Sequence, residues 1–467
     1  MTFSYAVLFS SLSLFMTRVI AESQVVANAY VGLFIALNFA LHLIAGYMGG
    51  RYVSNRVLLL ISCIFQIAGI YLLSFSAAWS LEYGLSLFLL GCGFNTTCLK
   101  CILTQQVLLD ENKREMIFFI NYSVMNIGFF LGFFAGGYFD LRLNYDQLFH
   151  VCNIFNLLAL VFLAIGWRSY KDRTMSLKKY SWLSQFLIVI TVFSILMYCM
   201  VLGFHHPSIS NYLVIVFGLL ALGYFIYQIQ FLALDKEKKQ LKAFLILTIA
   251  SIVFWTLFYV GPMGVTHFLK NNVDNIILGQ IVPPQWYMNL NSIFVVFGSP
   301  LLAILFKKIR IEGVELNISQ QFSGALIFIA LSFLVLSFGI KRADVFGYVS
   351  SFWIVTHFLF QALGEILIAP VGYAMIGKLA PKDMQGVMMG FWMLASGIAA
   401  AFSHYFSNTM NYVASTNPLL SNADYARSFN ALALYAFLFS LALVLLSKKI
   451  EKLISPSDIN TSQEVLN

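Results

Sequence analysis

Charged residues are scarce in this chain of 467 residues: they make up 10% of it, whereas soluble domains average about 25%. Hydrophobic residues account for 60%. This balance excludes a soluble globular protein, and we predict a polytopic membrane protein that contacts the lipid bilayer. The formal net charge of +8 is then explained by membrane topology, so no nucleic-acid partner is expected.

Recognisable catalytic and metal-binding patterns are also missing from the sequence. The 6 cysteines lie in apolar runs, and the Cys98-x-x-Cys101 pair has no second pair or His cluster beside it. No two of the 7 histidines stand four residues apart with an acid between them, as a zinc site on a helix would require. There is no phosphate-cradling Gly-rich loop and no Ser/His/Asp constellation. We therefore expect no metal, no cofactor and no enzymatic activity.

Apolar runs of about 20 residues, the length that spans a bilayer, recur along the whole chain. Six predicted spans lie near residues 3–20, 25–47, 57–78, 83–107, 116–139 and 147–167. Two lie near 181–203 and 210–232, and six more near 243–268, 286–306, 320–340, 347–377, 386–410 and 428–447. The predicted fold is therefore all-α, with fourteen helices: two six-helix bundles and an inserted two-helix hairpin, the major facilitator arrangement.

The same pattern predicts the domain organisation. We expect an N-terminal six-helix bundle over 1–168, a linker with two extra transmembrane helices over 169–240, and a C-terminal six-helix bundle over 241–454. Residues 455–467 are polar without apolar periodicity and are predicted to be a disordered cytoplasmic tail. The first apolar run has no basic segment before it, which favours a spanning helix over a secretory signal.

Lys and Arg residues predict the orientation, because cytoplasmic loops carry an excess of them. With a cytoplasmic N-terminus, 21 of the 28 Lys and Arg residues fall inside, 6 fall outside and Lys100 falls within a span. Both termini are therefore expected in the cytoplasm.

Glu365 is the only carboxylate well inside an apolar run, where an ionised side chain costs roughly 2.5–3.5 kcal/mol to insert. It is a candidate proton carrier, unless it is buried only as a protonated hydrogen-bonding group.

Lys100 is the only cation in the middle of a predicted span. It either faces a cavity, where it binds a carboxylate, or extends its ammonium to the cytoplasmic headgroups. His42 and His357 also lie within spans, and each either relays protons or packs between helices.

Several segments resemble the proton-dependent oligopeptide transporters. Gly364-Glu365-Ile-Leu-Ile-Ala-Pro370 and the residues that follow it up to Trp392 are similar to their tenth and eleventh helices. Residues 284–300 resemble their eighth helix and residues 118–128 their fifth. The inserted hairpin is a feature of the bacterial members, and the resemblance covers nearly the whole chain.

The resemblance implies that di- and tripeptides move inward together with protons by alternating access. It implies that Glu365 engages the peptide amino terminus and takes part in proton coupling. The resemblance further implies that the substrate is bound by Tyr5, Lys100, Asn126, Trp255, Asn291, Glu365 and Trp392.

The chain also departs from the family pattern at several charged positions. Met1 and Thr2 stand where the family has the end of an acidic Glu-x-x-Glu-Arg motif, and Phe9 aligns with an arginine that holds the peptide carboxylate. Thr96 aligns with the family's lysine, one turn before Lys100. The seventh helix lacks the family's carboxylate. Either the family's charges are lost or displaced here, or the true reading frame begins upstream of Met1.

The sequence thus predicts a monomeric proton-coupled importer of short peptides in the bacterial inner membrane. Two alternatives remain open at this point. One is a transporter of another small zwitterion such as an amino acid, and the other is a transport-inactive sensor or scaffold that retains the fold.

Overall fold

A computed structural model of the protein describes residues 1–106, 111–170, 181–232, 235–311, 317–379, 385–410 and 415–454. The first six long helices are α1 Thr2–Phe15, α2 Gln24–Met48, α3 Asn55–Leu73, α4 Ala78–Gln106, α5 Glu111–Asp140 and α6 Tyr145–Ile165. The hairpin consists of α7 Trp182–His205 and α8 Pro207–Tyr227. The remaining helices are α9 Asp235–Tyr259, α10 Thr266–Asn272, α11 Pro284–Ile311, α12 Ile318–Lys341, α13 Ser351–Leu379, α14 Gln385–Asn408 and α15 Pro418–Ile454.

These helices give the predicted six, two and six crossings, because α9 and α10 together form a single crossing. Within the described ranges, 12 helical segments are long and apolar enough to span a membrane by length and composition alone. The predicted disordered tail, 455–467, lies outside the described residues.

Each set of six helices encloses its own apolar core. Phe15, Phe34 and Phe88 are buried in the core of the first set, and Phe254 and Phe333 in that of the second. Small residues let helices approach closely within these cores. In a lipid bilayer, helices associate largely through such close van der Waals packing. At Gly69, for example, a Cβ atom would collide with the backbone of Phe88, so α3 and α4 pack backbone to backbone.

The hairpin contacts both bundles. Helix α7 packs against α4, whereas α8 packs against both α2 and α14. The buried Asn211 side chain of α8 donates to the carbonyl oxygen of Ala29 in α2, at 2.8 Å. On the other side, the rings of Phe225 and Phe391 stack with their centroids 4.8 Å apart. The hairpin therefore covers the seam between α2 and α14 from outside.

Wide π-helical turns occur in two crossings of the bundles, and a third, Gln228–Leu232, follows α8 of the hairpin. The first follows α1 over Met16–Ile20 and ends at Ala21, whose φ of 62° reverses the chain. The second, Gly261–Val265, separates α9 from α10. It contains Pro262, which has no N–H to donate within the helix. Such interruptions are common at functional sites, and the second one lines the cavity described below.

Two pairs of short strands lie at one end of the molecule. Strand β1 Val273–Asp274 pairs in parallel with β4 Val349–Ser350, and β2 Ile276–Ile277 pairs antiparallel with β3 Gln280–Ile281. The pairing with β1 holds residues 349–350 extended, so α13 begins at Ser351 and not at 347 as predicted.

The last helix also begins earlier than predicted, at Pro418 instead of residue 428. The Asn417 side chain accepts a hydrogen bond from the Leu419 backbone N–H at 3.0 Å, and so caps the start of α15. The added turns carry Asp424 and Arg427, which lie 3.7 Å apart. An apolar run does not reveal this polar extension of the helix.

Candidate substrate-binding site

A cavity of about 320 Å³ lies between the two bundles. The first bundle contributes α1, α2 and α5 to its wall, and the second contributes α9, its π-helical turn, α11 and α13. The cavity is lined by Tyr5, Phe9, Asn38, Phe39, Met125, Asn126, Phe129, Phe133, Trp255, Phe258, Tyr259, Gly261, Pro262, Met288, Asn291, Ser292, Phe358, Gln361 and Glu365.

Glu365 of α13 carries the only formal charge among the described residues that line this cavity. The side-chain amide of Asn291, on α11, donates to Oε2 of Glu365 at 2.7 Å. The preceding residue, Gly364, lets α13 lie close to its neighbours: a Cβ atom there would stand 2.9 Å from the Phe254 ring and 3.0 Å from the carbonyl oxygen of Ala325. This packing turns the next side chain, Glu365, toward the cavity.

Aromatic side chains form the wall that the first bundle contributes. The Phe9 ring stacks near that of Phe133 at a centroid distance of 6.3 Å, and the Phe129 ring meets that of Phe133 edge-on at 5.7 Å. On the other side, Trp255 stacks on Tyr259 at 5.7 Å. The cavity therefore combines one carboxylate with neutral amides and large apolar surfaces.

A second cavity of about 210 Å³ adjoins the first. The two share Tyr5, Asn38, Met125 and Phe129 as lining residues. Its polar lining comes from Met1 and Thr2 at the start of α1 and from His42, Gln66, Asn95, Thr96, Lys100 and Asn121. The positively charged side chain of Lys100 thus lines this cavity, whereas the carboxylate of Glu365 lines the central cavity.

Six of the seven predicted substrate-binding residues line one of these cavities. The central cavity contains Tyr5, Asn126, Trp255, Asn291 and Glu365, and the second contains Tyr5 again and Lys100. The structure thus brings five of them together and places Lys100 beyond Tyr5, on the side of the first residues of the chain.

Trp392, the seventh predicted binding residue, lies outside both cavities in this structure. Only 3% of Trp392 is exposed, and it lines neither cavity. Its ring lies directly over Gly372 of α13, where a Cβ atom would collide with it, and meets the Phe322 ring at a centroid distance of 6.3 Å. The absence of a side chain at Gly372 creates the space that the indole fills, so Trp392 packs within the second bundle.

The two candidate histidines differ in position. His357 is buried outside both cavities, with Nδ1 3.1 Å from the carbonyl oxygen of Ser332. His42 lines the second cavity, where Nδ1 lies 2.9 Å from the carbonyl oxygen of Gly93 and 3.2 Å from the Thr97 hydroxyl. These contacts join α2 to α4.

Sequence reasoning missed several lining residues, among them Gln361, Ser292 and Asn38. Gln361 lies four residues before Glu365 and Asn38 four before His42, so helical spacing from the charged candidates would have found both. The phenylalanines of the cavity wall carry no such signal, because the same residue type fills the bundle cores.

Hydrogen bonds between the bundles close one end of the cavity. Ser13 Oγ lies 2.8 Å from Nε2 of the buried His267, and Asn28 donates to Asn408 at 2.9 Å. The Trp286 indole N–H donates to the carbonyl oxygen of Phe134, also at 2.9 Å. These three contacts lie at the end of the bundles opposite to that of Lys100.

A cavity between two six-helix bundles, with hydrogen bonds joining the bundles at one end, defines a multi-pass membrane protein with the architecture of a secondary transporter. The POT family profile matches residues 56–425. The chain therefore belongs to the POT family, as its sequence motifs predicted.

Individual relatives extend over nearly the whole chain. Dipeptide and tripeptide permease A of Salmonella typhimurium (strain LT2) is 24% identical over 463 residues, which cover 98% of this chain and 91% of the permease. Dipeptide and tripeptide permease B of the same strain is 26% identical over 450 residues, 95% of this chain and 91% of that permease.

The fold is also that of solved transporters. A crystal structure of a peptide transporter POT in complex with sulfate superposes with a TM-score of 0.84 at 20% identity, covering 97% of this chain and 93% of that one. A structure from a study of substrate recognition in proton-dependent oligopeptide transporters gives a TM-score of 0.82 at 20% identity, covering 97% and 96%. The predicted major facilitator fold is confirmed by these likenesses.

Proposed function

We propose that this protein is a secondary active transporter that takes up di- and tripeptides together with protons by alternating access. The observation that carries the proposal is the carboxylate of Glu365, held by Asn291 in the cavity between the bundles. Membership of the POT family and the names of the permeases above support the choice of peptides as substrates.

Glu365 has two roles in this proposal. Its carboxylate attracts the protonated amino terminus of a peptide. The same oxygen atoms bind and release a proton as the transporter switches between outward-open and inward-open states. The amides of Asn126 and Asn291 present both donors and acceptors, which suit the N–H and C=O groups of a peptide bond. Tyr5 and Trp255 provide flat apolar walls for substrate side chains.

Lys100 acts at a later stage. It lines the second cavity, beyond Tyr5 and toward the end of the bundles opposite to the contacts of Ser13 and Asn28 with the second bundle. We propose that a peptide leaving the central cavity passes Tyr5 and that its carboxylate meets the Lys100 ammonium on this exit route. Lys100 would then affect the rate of release more than the affinity of the central site.

The bias of Lys and Arg residues supports the orientation that we propose: both termini in the cytoplasm and the second cavity open to it. The relatives named above are bacterial permeases, which supports placement in the bacterial inner membrane. One chain provides both bundles of the cavity, so we propose a monomer as the functional unit.

Transport into proteoliposomes tests the function. Purified protein is reconstituted, and uptake of labelled di- and tripeptides is measured with and without an imposed inward proton gradient. We expect the gradient to drive accumulation and the peptide to accelerate acidification of an internal pH dye. Accumulation of free amino acids in place of peptides would contradict the substrate class, and the absence of any substrate-dependent acidification would contradict coupled transport.

A further inference from the structure

The charges of the two cavities are separated. None of the described residues that line the central cavity is Lys, Arg or His, and Glu365 is its one carboxylate. The second cavity contains Lys100 and His42 and, among its described lining residues, no acid. Tyr5, Met125 and Phe129 lie between the two. A molecule resting in the central cavity therefore meets a negative charge without a matching positive one.

The wall contributed by the first bundle consists mainly of aromatic rings and carries no charged side chain among its described residues. Phe9 lies against Phe133, with ring centroids 6.3 Å apart, and against Tyr5 at 6.1 Å. The Phe129 ring meets Tyr5 edge-on, also at 6.1 Å. A short substrate whose ammonium group lies at Glu365, on the second bundle, directs its other end toward these rings. A carboxylate placed there would lose water without gaining a charged partner, which is costly for a charge.

The polar groups that remain in the central cavity are neutral. Asn38, Asn126, Ser292 and Gln361 offer amides and a hydroxyl, each of which both donates and accepts hydrogen bonds. Such groups complement a carboxamide or an ester at the far end of the substrate. They do not neutralise a full negative charge. The cavity therefore discriminates against free peptides, whose C-terminal carboxylate has no counter-charge there.

From this charge pattern we infer that the central cavity selects short peptides that are singly positive. Their amino terminus is free and their C-terminus is neutral, as in C-terminal amides and esters, and they bind in preference to the zwitterionic free peptides. Phe9 is the residue that determines this specificity on the first bundle. The inference rests on the proposed function and narrows its substrate class.

Binding to the unmodified full-length protein tests the inference directly. Isothermal titration in detergent at neutral pH compares three ligands: phenylalanyl-alanine, its C-terminal amide and N-acetyl-phenylalanyl-alanine. We expect the amide to bind at least tenfold more tightly than the free dipeptide, and the acetylated acid to bind least. Equal or tighter binding of the free dipeptide would overturn the inference while leaving peptide transport intact. Binding of none of the three would overturn both.

Two substitutions at Phe9 sharpen the test. Phe9→Arg places a cation on the wall that now lacks one, and it should reduce the amide preference at least tenfold or reverse it. Phe9→Met keeps the wall apolar and uncharged, and should retain the preference of the unmodified protein. Thermal unfolding confirms that each variant is folded before titration. An unchanged preference in folded Phe9→Arg would overturn the role of Phe9.

Discussion

Asn291 donates its side-chain N–H to the carboxylate of Glu365 at 2.7 Å, and thereby joins α11 to α13 inside the central cavity. The two helices are far apart in sequence, yet this hydrogen bond orients the one charged group of the cavity among its described lining residues. Because the donor engages Oε2, the other carboxylate oxygen, Oε1, is left for a ligand or a proton. In the proposed mechanism, substrate binding and proton release therefore involve the same group.

Replacing Glu365 with Gln should abolish accumulation driven by a proton gradient, because the amide keeps the size of the side chain but cannot carry the proton. The variant should remain folded in detergent, since an uncharged amide is less costly to bury than a carboxylate. Uptake into proteoliposomes under an imposed gradient measures the effect. Glu82→Gln is the matched control: this carboxylate pairs with His205 at 3.1 Å and lines neither cavity described above. Undiminished accumulation by the Glu365 variant would contradict the proton-coupling role.

Asn291→Leu should reduce the rate of uptake about tenfold. A hydrogen bond to a charged group is worth roughly 1.5–3 kcal/mol, and about 1.4 kcal/mol corresponds to a factor of ten. The matched control is Asn289→Leu, because Asn289 lies two positions away on the same helix, is buried, and lines neither cavity. Equal losses in both variants would show that Asn291 acts through helix packing and not through Glu365.

Arg18→Met should destabilise the protein at the closed end of the cavity. Arg18 pairs with Asp140 at 2.8 Å, and only 2% of the Asp140 side chain is exposed. The Tyr145 hydroxyl also donates to this carboxylate. Removing one partner of a buried pair costs roughly 3–5 kcal/mol, because the remaining charge is left uncompensated. Thermal unfolding in detergent should show a clear decrease in Tm.

Two further variants separate charge from packing at this pair. Adding Asp140→Asn to Arg18→Met removes the orphaned charge and should recover part of the lost stability. Arg142→Met, at an exposed arginine that lies over the Tyr138 ring at 3.7 Å, should have little effect. A double variant as unstable as Arg18→Met would refute the buried-charge explanation.

The sequence predicted the helices and the deep charges well, because both follow from the cost of exposing polar groups to lipid. Glu365 and Lys100 are conspicuous for this reason, and the structure places each of them in a cavity. Aromatic residues carry no such penalty. Trp255 lines the central cavity, whereas Trp392 packs over Gly372. Whether a tryptophan faces the cavity depends on the rotation of its helix about its own axis, which residue type does not indicate.

The interrupted crossing between α9 and α10 also escaped prediction. The apolar run 243–268 passes through Pro262 without a change in composition, so hydropathy predicts a continuous helix. The π-helical turn at Gly261–Val265 also makes tertiary contacts: a Cβ atom at Gly264 would collide with the sulfur atom of Met410. The hydrophobic periodicity of the segment does not reveal such contacts between helices.

Gly137→Val should open the closed end of the cavity. A Cβ atom at Gly137 would stand 2.5 Å from Cδ1 of Trp286 and 2.6 Å from Pro283, so α5 and α11 would have to separate. Pulsed electron spin resonance between labels at Arg142 and Val345, in a cysteine-free background, should show a longer distance. Gly223→Val is the matched control, since no atom lies within 4 Å of its Cβ position. An unchanged distance in Gly137→Val would contradict a role for this contact in closure.

Proton stoichiometry provides the last prediction. The two buried acids among the described residues, Asp140 and Asp424, lie beside Arg18 and Arg427 and line neither cavity. Glu365 is then the described carboxylate available for coupling. We therefore expect one proton per substrate and a pH dependence of uptake that fits a single titrating group. One charge is worth about 2.3 kcal/mol per 100 mV, and at about 1.4 kcal/mol per factor of ten the charge of one proton contributes roughly fortyfold accumulation at 100 mV.

The stoichiometry is measured from the membrane potential at which an imposed substrate gradient produces no net flux. A value of two or more protons would contradict the carboxylate route through Glu365 alone and would require a second carrier. His42 is the structural candidate, because it lines the second cavity, whereas His357 lies outside both. His42→Gln should then reduce the stoichiometry by one and His357→Gln should leave it unchanged. If the value is one proton in the unmodified protein, neither histidine variant should alter it.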